Sequence, residues 1–400
     1  MLIKRPDYFN KLLAYKDKEP IKVITGVRRS GKSSLLLMWK EYLEENQPAS
    51  EVLYLNFEHP SSFKLHEGAH LMDYLQSKIT KGHVYFLFDE IQFVSDWQKY
   101  INGLRLAYNC DIYLTGSNSE LLSGELATLL TGRYVEIAVF PLSFKEYLFF
   151  RGYEGKKNKD PYFRDYLDNG GFPLTVMTAD SFVRDGIMRA LFDSVLFRDV
   201  AFRGAIQNPD QLMRVVAYLM DNIGNPLSAS SIANYLTSAG FKTYAETIGR
   251  YLHLLEQAYA FYHVERYDIR GKERLKTLGK YYAVDLGLRN YVLGRTDISR
   301  GSQIENLVFL RLLQGGYKVF VGKYDDKEID FVCFRGKTVK YIQVCEQLPK
   351  DSDREIDNLL LIRDNYDRLV VTMNTLDVGS RHGVEIIHIY DFLLADDGHI

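Results

Sequence analysis

The stretch that most restricts the fold of this chain lies near its amino end. An apolar, β-branched run, Ile21–Thr25, is followed by Gly26, four further residues and the triplet Gly31–Lys32–Ser33. In this GxxxxGK[ST] spacing the backbone N–H groups surround a phosphate, the lysine contacts the β- and γ-phosphates, and the hydroxyl binds Mg²⁺. The apolar spacing that follows predicts a helix whose positive dipole end faces the phosphates. The stretch therefore predicts a strand, a phosphate-binding loop and a helix that bind ATP and Mg²⁺.

The predicted nucleotide ligands belong to this loop and to the first turn of its helix. Its two glycines let the backbone turn so that successive N–H groups point inward. Ser33 is also a predicted Mg²⁺ ligand. The predicted ATP-binding residues are Gly26, Arg28, Arg29, Ser30, Gly31, Lys32, Ser33 and Ser34.

Length and composition limit the class of protein. The chain has 400 residues, enough for two to four domains, and its formal net charge of −2 requires that any nucleic-acid contact come from a local patch. Its three cysteines show no CxxC spacing, which argues against a disulfide framework or a zinc ribbon and fits a reducing compartment. We find no signal-peptide pattern and no long apolar run. We therefore expect a cytoplasmic protein that has no membrane partner.

Two acids close the second strongly apolar run of the chain. The run from Val84 to Phe88 suits a parallel strand buried on both faces, and Asp89 and Glu90 follow it directly. The carboxyl ends of parallel strands form the ligand crevice, so these acids are expected beside the phosphate-binding loop. Asp89 is predicted to hold Mg²⁺ through water and Glu90 to act as general base. The alternative is that both acids cap a helix at Val94–Tyr108.

One strand, at 52–57, separates the loop from the acid pair along the chain, and the run Asp111–Thr115 follows the pair. This arrangement resembles the additional-strand-catalytic-glutamate division of NTPases, to which AAA+ proteins belong. The resemblance implies that a polar residue after the fourth strand, Asn118 or Ser117, orients the attacking water. We assign this catalytic role to Asn118. The alternative is an ordinary Gly-Ser-Asn turn.

The same resemblance suggests a role for an arginine before the fifth strand. Gly132 and Arg133 precede the run Tyr134–Phe140, close to where AAA+ proteins present an arginine finger to the nucleotide of a neighbouring subunit. Arg133 is therefore a candidate catalytic residue, and its role requires a homo-oligomer. The alternative is a surface arginine that pairs with an acid such as Glu136.

The middle of the chain predicts helices followed by a hairpin. The segment 169–173, Asn-Gly-Gly-Phe-Pro, interrupts a helical pattern, either as a helix–helix turn or as a lid element that contacts the nucleotide base. Residues 207–265 fit a winged helix-turn-helix of three helices and a strand. The exposed face of the third helix is not strongly basic, so a protein contact is at least as compatible with it as DNA. A basic run at Lys272, Arg274, Lys276 and Lys280 is either a solvated strand edge or a wing that contacts phosphates.

The last hundred residues carry a second pattern of polar residues on apolar elements. The spacing of Glu305, Asp330 and Gln343-x-Cys345 matches the core of restriction nucleases, in which an acid and a [DE]xK pair hold magnesium beside a lysine. Here Gln343 replaces the second acid and Cys345 replaces the lysine. A neutral amide is a poor magnesium ligand, and a thiol lacks the fixed positive charge of lysine. We therefore expect a nuclease-like module without nuclease activity.

Taken together, the loop, the acid pair and four weaker motifs resemble a prokaryotic AAA-type ATPase family. The weaker motifs are Leu114–Ser117, Leu130–Arg133, Pro141–Phe144 and Gly170–Pro173. Members of that family pair the ATPase with a C-terminal domain of unknown function that is similar to PD-(D/E)XK nucleases. The resemblance implies an α/β fold: a P-loop AAA+-like parallel sheet with a helical lid, a winged helix-turn-helix domain and a C-terminal restriction-nuclease-like α/β domain.

The predicted domains are an ATPase core at 1–150, a lid at 151–205, a winged helix-turn-helix at 206–295 and a catalytically inactive nuclease-like domain at 296–400. The predicted function is slow, Mg²⁺-dependent ATP hydrolysis that works as a switch or remodeller, with the C-terminal half recognising a protein partner. Two alternatives stay open. One is an ATP-regulated protein that binds DNA, and the other is a nuclease with a displaced lysine, Lys340 or Lys327.

Overall fold

The structure is a computed structural model that describes residues 3–122, 130, 132–155, 158–202, 204–294, 299–349 and 354–396. These residues divide into two compact units. The first ends at Pro141 and also includes Gln257–Tyr259, and the second comprises Leu142–Glu256 and the chain from Ala260 onward.

The first unit alternates helices and strands. Its elements are α1 (Pro6–Tyr15), β1 (Ile21–Thr25), α2 (Lys32–Asn46), β2 (Glu51–Asn56), α3 (Gly68–Lys78), β3 (Val84–Asp89), α4 (Trp97–Ala107), β4 (Cys110–Thr115) and β5 (Tyr134–Ala138). Short 3₁₀ turns occur at Pro60–His66, Ile91–Phe93 and Ser119–Leu122. The predicted strands and helices of this region are present, and the predicted helix at 94–108 begins later, at Trp97, because Asp96 takes the left-handed conformation with φ 50°.

The strands of the first unit form a parallel sheet of order β2-β3-β4-β1-β5 among the described residues. Strand β4 lies between β1 and β3, so the loop after β1 and the acids after β3 flank the end of β4. Strands β1 and β3 are buried along their whole length, as expected for a parallel sheet covered on both faces. The predicted parallel α/β sheet is confirmed.

Apolar side chains cover both faces of this sheet. On one face Leu12 of α1 and Leu36 and Trp39 of α2 pack against Ile24 and Tyr113. On the other face the side chains of α3 and α4 pack against β1, β3 and β4; they include Leu71, Leu75, Trp97, Ile101 and Leu104. The two layers fix the sheet, and with it the positions of the residues at its carboxyl edge.

The second unit begins with helices. These are α5 (Phe144–Phe150), α6 (Asp160–Asn169), α7 (Pro173–Met177), α8 (Ser181–Asp193), a π-helical segment (Ser194–Phe202), α9 (Pro209–Asp221), α10 (Ala229–Ser238) and α11 (Ala245–Gln257). The three helices predicted within residues 207–265 correspond to α9, α10 and α11. Helix α10 begins at a capping box between Ser228 and Ser231.

The remainder of the second unit is built around one large sheet. Its elements are β6 (Phe261–Asp268), β7 (Glu273–Ala283), α12 (Leu286–Leu293), α13 (Arg300–Gln314), β8 (Lys318–Tyr324), β9 (Lys327–Arg335), β10 (Thr338–Cys345), α14 (Arg354–Leu360), β11 (Asp367–Thr372), β12 (Gly379–Arg381), β13 (Val384–His388) and α15 (Ile389–Leu394). In the described residues the strand order is β12-β13-β11-β10-β9-β8-β6-β7.

The predicted hairpin and the C-terminal strands therefore share a sheet, because β6 pairs in parallel with β8. The sheet itself crosses the predicted domain limit at residue 295. The winged-helix and nuclease-like folds stay predictions. The same holds for the predicted domain limits at residues 150, 205 and 295.

The segment that interrupts the helical pattern at 169–173 is a turn between α6 and α7. Its backbone is fastened by Asp285, the N-cap of α12, whose carboxylate accepts hydrogen bonds from Gly171 N–H at 2.6 Å and Leu288 N–H at 3.0 Å. A side chain at Gly170 would place Cβ 2.0 Å from this carboxylate. In the part of the chain that the structure describes, no helix is both long and apolar enough to cross a membrane.

Candidate functional site: a phosphate-binding loop and an acid pair

The loop between β1 and α2 adopts a conformation that its glycines permit. Gly26 and Gly31 have φ of 130° and 106°, in the region that side chains disfavour. A Cβ at Gly26 would lie 2.1 Å from the carbonyl oxygen of Val139, the residue that follows β5. Gly26 is thus required by close backbone approach as well as by its dihedral angles.

Lys32 points back into this loop. Its ammonium donates hydrogen bonds to the carbonyl oxygens of Gly26 at 2.8 Å and Val27 at 3.0 Å, and the residue is buried. The neighbouring Ser30 hydroxyl is also buried and has no hydrogen-bond partner among the described residues. A buried donor without a partner costs free energy unless a ligand satisfies it. The loop therefore fits a phosphate group.

The acid of β3 lies beside the loop. The Ser33 hydroxyl donates to Asp89 Oδ1 at 3.1 Å, while Tyr54 and Asn56, both on β2, donate to Oδ2 at 3.1 and 3.2 Å. Burial raises the pKa of the Asp89 carboxyl above its ordinary value, and the hydroxyl of Thr115 acts in the opposite direction. Ser33 and Asp89 are thus brought together as oxygen donors suited to Mg²⁺.

The second acid is held in a left-handed backbone conformation. Glu90 has φ 56°, and its N–H donates to the hydroxyl of Thr115 at 2.9 Å. Its carboxylate accepts hydrogen bonds from Gln92 and, at 3.3 Å, from Ser117. Its side chain caps no helix, so the helix-capping alternative is wrong for Glu90.

Thr115 connects the two acids. At the end of β4, its hydroxyl donates to Asp89 and accepts the N–H of Glu90. One side chain therefore fixes the relative positions of both acids. The sequence predicts Thr115 at the end of the strand, but it predicts the polar role for Ser117 or Asn118, which follow.

Comparison with known proteins places the chain in a family. An AAA domain family matches residues 18–148, and a domain of unknown function, DUF8612, matches residues 160–299. An uncharacterised protein of Haemophilus influenzae is 44% identical to this chain, over 98% of the chain and 99% of that protein. The chain belongs to an AAA-type ATPase family.

A second relative and a solved structure extend this comparison. The uncharacterised protein MJ1544 of Methanocaldococcus jannaschii is 30% identical, over 94% of this chain and 88% of that protein. The Walker-type ATPase PABY2304 of Pyrococcus abyssi is 16% identical, with a TM-score of 0.47, over 72% of this chain and 95% of that one.

In this AAA-type ATPase an arginine outside the phosphate-binding loop donates hydrogen bonds to the backbone of that loop. Arg5 precedes α1 and is buried; its guanidinium donates to the carbonyl oxygens of Ser30 and Phe140, both at 2.9 Å, and of Pro141 at 3.5 Å. The planar guanidinium can join several acceptors at once, which a lysine ammonium cannot match in geometry. Arg5 is not predicted from the sequence, because no local pattern links it to a loop 25 residues away.

The remaining predicted loop ligands differ in exposure. Arg28 is nearly buried and pairs with Glu58 at 3.3 Å, whereas Arg29 is exposed and left-handed, with φ 64°. Ser34 is half-buried on the first turn of α2. Their roles as ATP ligands stay predictions.

The other two predicted catalytic residues lie at different edges of the sheet. Asn118 is buried just after β4, on the same side as the loop, and its carbonyl oxygen accepts the N–H of Leu121. Arg133 precedes β5, and its carbonyl oxygen accepts the N–H of Ile21 at the start of β1. The length of β1, roughly 15 Å at the usual rise, separates Arg133 from the loop of its own subunit.

The alternative role of Arg133 has little support in the described residues. Arg133 is exposed and forms no ion pair there. Glu136 instead accepts a hydrogen bond from Thr25. The role of Arg133 as a finger stays a prediction.

Residues of the second predicted pattern, that of the restriction-nuclease core, also lie close together, within the second unit. The Asp330 N–H donates to Gln343 Oε1 at 2.6 Å, and the Val344 N–H donates to Asp330 Oδ2 at 2.8 Å. Glu305 lies nearby on α13. Burial raises the pKa of the Cys345 thiol to about 12, so the residue at the lysine position carries no charge.

Neither displaced lysine named by the sequence analysis is the one that reaches this cluster. Lys340 pairs with Asp367 at 3.8 Å, and Lys327 is exposed at the start of β9. Lys280 of β7 instead lies 3.0 Å from Glu305. Its place in a basic run suggested an exposed residue, but its exposed fraction is only 2%.

Proposed function

We propose that this protein binds ATP with Mg²⁺ at the loop between β1 and α2 and hydrolyses it slowly. The observation that carries the proposal is the hydrogen-bonded chain from Ser33 through Asp89 and Thr115 to Glu90. It joins the loop hydroxyl, a carboxylate and a potential general base at one edge of the sheet.

Different residues of the site would bind the phosphates and the Mg²⁺ ion. In the proposal, the loop N–H groups and the Lys32 ammonium bind the β- and γ-phosphates, and the ammonium exchanges its two backbone carbonyls for phosphate oxygens. The Ser33 hydroxyl and, through water, Asp89 would hold Mg²⁺, which offsets the charge of the phosphates. Tyr54 and Asn56 keep the Asp89 carboxylate oriented.

Hydrolysis requires a base that can approach a water molecule. Glu90 supplies a carboxylate whose oxygen is bonded to Gln92 and Ser117 in this structure. In the proposal Glu90 leaves these partners and accepts a proton from the attacking water, while Asn118 orients that water. The need to break two hydrogen bonds first is consistent with slow turnover.

The proposal extends to control of a partner. We propose that ATP binding and hydrolysis switch the second unit between states that recognise a protein partner, and that homo-oligomers form in which Arg133 contacts the nucleotide of a neighbour. Localisation in the cytoplasm belongs to the same proposal.

DNA stays the alternative partner, and the predicted basic run supports it only in part. In the basic run, Lys280 is buried and the Arg274 guanidinium stacks 5.1 Å from the centre of the Phe320 ring. On α11, Arg250 donates to the carbonyl oxygen of Gly204. Lys280 is therefore not available to phosphates, which would dominate DNA affinity, whereas Arg274 and Arg250 are exposed.

Phosphate release from ATP tests the proposed function. Lys32→Ala should abolish Mg²⁺-dependent phosphate release and weaken ATP binding in calorimetric titration, because it removes the ammonium from the loop. Lys40→Ala is the matched control, since Lys40 lies on the same helix, is partly exposed, and has Glu44, at 2.9 Å, as its one ion-pair partner among the described residues. Equal activity of the two variants would contradict the proposal.

A further inference from the structure

An acidic cluster with an internal cation lies in the second unit, apart from the phosphate-binding loop. Glu305 of α13 and Glu328 and Asp330 of β9 surround the Lys280 ammonium, with N–O distances of 3.0, 2.8 and 4.0 Å. We call these four residues the Lys280 cluster. Three carboxyl groups converge on a single buried ammonium.

The backbone of β7 directs Lys280 into this cluster. The pairing of β6 with β7 shifts register between Val264 and Arg266, and Leu278, two residues before the lysine, has φ 55°. Such bulges re-aim the side chains next to them. The lysine that sequence alternation would place in an exposed basic run is therefore turned inward.

A loop of the preceding helical region secures this arrangement. The N–H groups of Gly224 and Leu227 donate to the carbonyl oxygens of Tyr281 at 3.1 Å and Gly279 at 2.9 Å, one on each side of Lys280. A Cβ at Gly224 would lie 3.3 Å from Glu305 Oε1. The backbone on both sides of Lys280 is thus hydrogen-bonded to this loop.

The carboxylates have further donors that fix their orientation. The Tyr282 hydroxyl donates to Glu305 at 2.6 Å, and the Val344 N–H donates to Asp330. Gln343 donates to Glu355 of α14 at 2.6 Å. Burial alone would lower the pKa of Lys280, yet the carboxylates of Glu305, Asp330 and Glu328 raise it above its ordinary value, so the ammonium stays charged.

We infer that the Lys280 ammonium is a built-in cation of the second unit, which occupies the position that a divalent metal ion would take among Glu305, Glu328 and Asp330. Three carboxyl groups around one point are the oxygen-rich surroundings that Mg²⁺, Mn²⁺ and Ca²⁺ prefer.

Lys280 has an effect different from that of Gln343 and Cys345, which replace the acid and the lysine of the nuclease pattern. Those substitutions remove a ligand and a catalytic charge, whereas Lys280 excludes the metal itself by charge and volume. The side chain of Glu328 is 37% exposed, so the cluster opens to solvent on one side. A metal ion could therefore enter once the ammonium is removed.

Manganese binding by the full-length, nucleotide-free protein tests this inference. Free Mn²⁺ is measured by electron paramagnetic resonance during titration with MnCl₂. Lys280→Met, which keeps the length of the side chain and removes its charge, should gain one Mn²⁺ site at least about tenfold tighter than any site of the wild type, a difference of about 1.4 kcal/mol. The added site should disappear in Lys280→Met/Asp330→Asn.

Lys340→Met is the matched control, because Lys340 of β10 has one ion-pair partner among the described residues, Asp367 of β11, at 3.8 Å. It should bind Mn²⁺ like the wild type. A purely structural ion network would also lose stability in Lys280→Met, but it would not gain a metal site that depends on Asp330.

Three results would overturn the inference. The first is a wild-type Mn²⁺ site that Asp330→Asn removes, and the second is a folded Lys280→Met protein without an added site. The third result concerns misfolding and uses a second variant, Lys280→Gln, which keeps an amide donor for Glu305. If both variants are insoluble even when purified with MnCl₂, the metal cannot replace the ammonium and the inference is wrong.

Discussion

The Arg5 guanidinium donates a 2.9 Å hydrogen bond to the carbonyl oxygen of Ser30, in the middle of the phosphate-binding loop. The same group also bonds the chain after β5, at Phe140. A buried, charge-assisted hydrogen bond of this type contributes about 1.5–3 kcal/mol. Arg5 therefore contributes both to the stability of the first unit and to the shape of the loop.

Replacing Arg5 should consequently affect stability and nucleotide affinity together. We expect Arg5→Ala to lower the melting temperature and to weaken ATP binding roughly tenfold, because buried carbonyl oxygens lose their donor. Arg5→Lys should restore charge but only part of the affinity, since an ammonium lacks the guanidinium fork. Calorimetric titration and thermal unfolding measure both effects. Wild-type affinity in a folded Arg5→Ala protein would show that Arg5 does not shape the loop.

The turn at 169–173 should make stability depend on pH through Asp285. Burial raises the pKa of this carboxyl to about 6, and the N–H groups of Gly171 and Leu288 act in the opposite direction. Because the folded pKa lies above the unfolded value of 3.8, the folded state binds the proton more tightly. The stabilisation is full below the unfolded value and is lost as pH rises through about 6, by on the order of 3 kcal/mol in total.

The comparison that isolates this effect uses Asp285→Asn, which does not titrate. Its free energy of unfolding, measured in urea, is subtracted from that of the wild type at each pH. We expect the wild type to lose stability relative to the variant between about pH 4 and pH 7. A difference that stays constant over this range would mean that Asp285 does not titrate with a raised pKa.

Local spacing accounts for the part of the site that the sequence predicts. Lys32 and Ser33 belong to one contiguous motif, and Asp89 and Glu90 end one apolar run, so their meeting follows from the rule that parallel strands present their carboxyl ends at one edge. The family resemblance identified the AAA-type ATPase on these residues. The parallel sheet followed from alternating helical and apolar segments.

The residues that the sequence did not predict depend on long-range geometry. Arg5 reaches the loop from before α1, and Tyr54 and Asn56 reach Asp89 because β2 pairs with β3 in register. Lys280 is turned inward by a bulge that no turn motif in the sequence predicts. Such contacts follow from tertiary packing, which overrides local patterns of charge and polarity.

Arg133 offers a test of assembly. Arg133→Ala should retain ATP binding but reduce hydrolysis, and arginine fingers contribute roughly 10³–10⁵ in rate. Because the length of β1 separates Arg133 from its own loop, any catalytic contact must come from another subunit. Mixing inactive Arg133→Ala with inactive Glu90→Gln subunits should therefore restore part of the activity. No recovery, together with a monomeric mass in the presence of ATP, would assign Arg133 to the surface.

In the proposed reaction Glu90, held by Thr115 beside the loop, activates water for ATP hydrolysis. A single-turnover measurement with radiolabelled ATP and excess protein tests it, because it separates binding from cleavage. Glu90→Gln keeps the shape of the side chain, so it should bind ATP and Mg²⁺ with wild-type affinity and cleave it at least roughly 10²-fold more slowly, the usual contribution of a general base. Cleavage by Glu90→Gln at the wild-type rate would show that another residue activates the water.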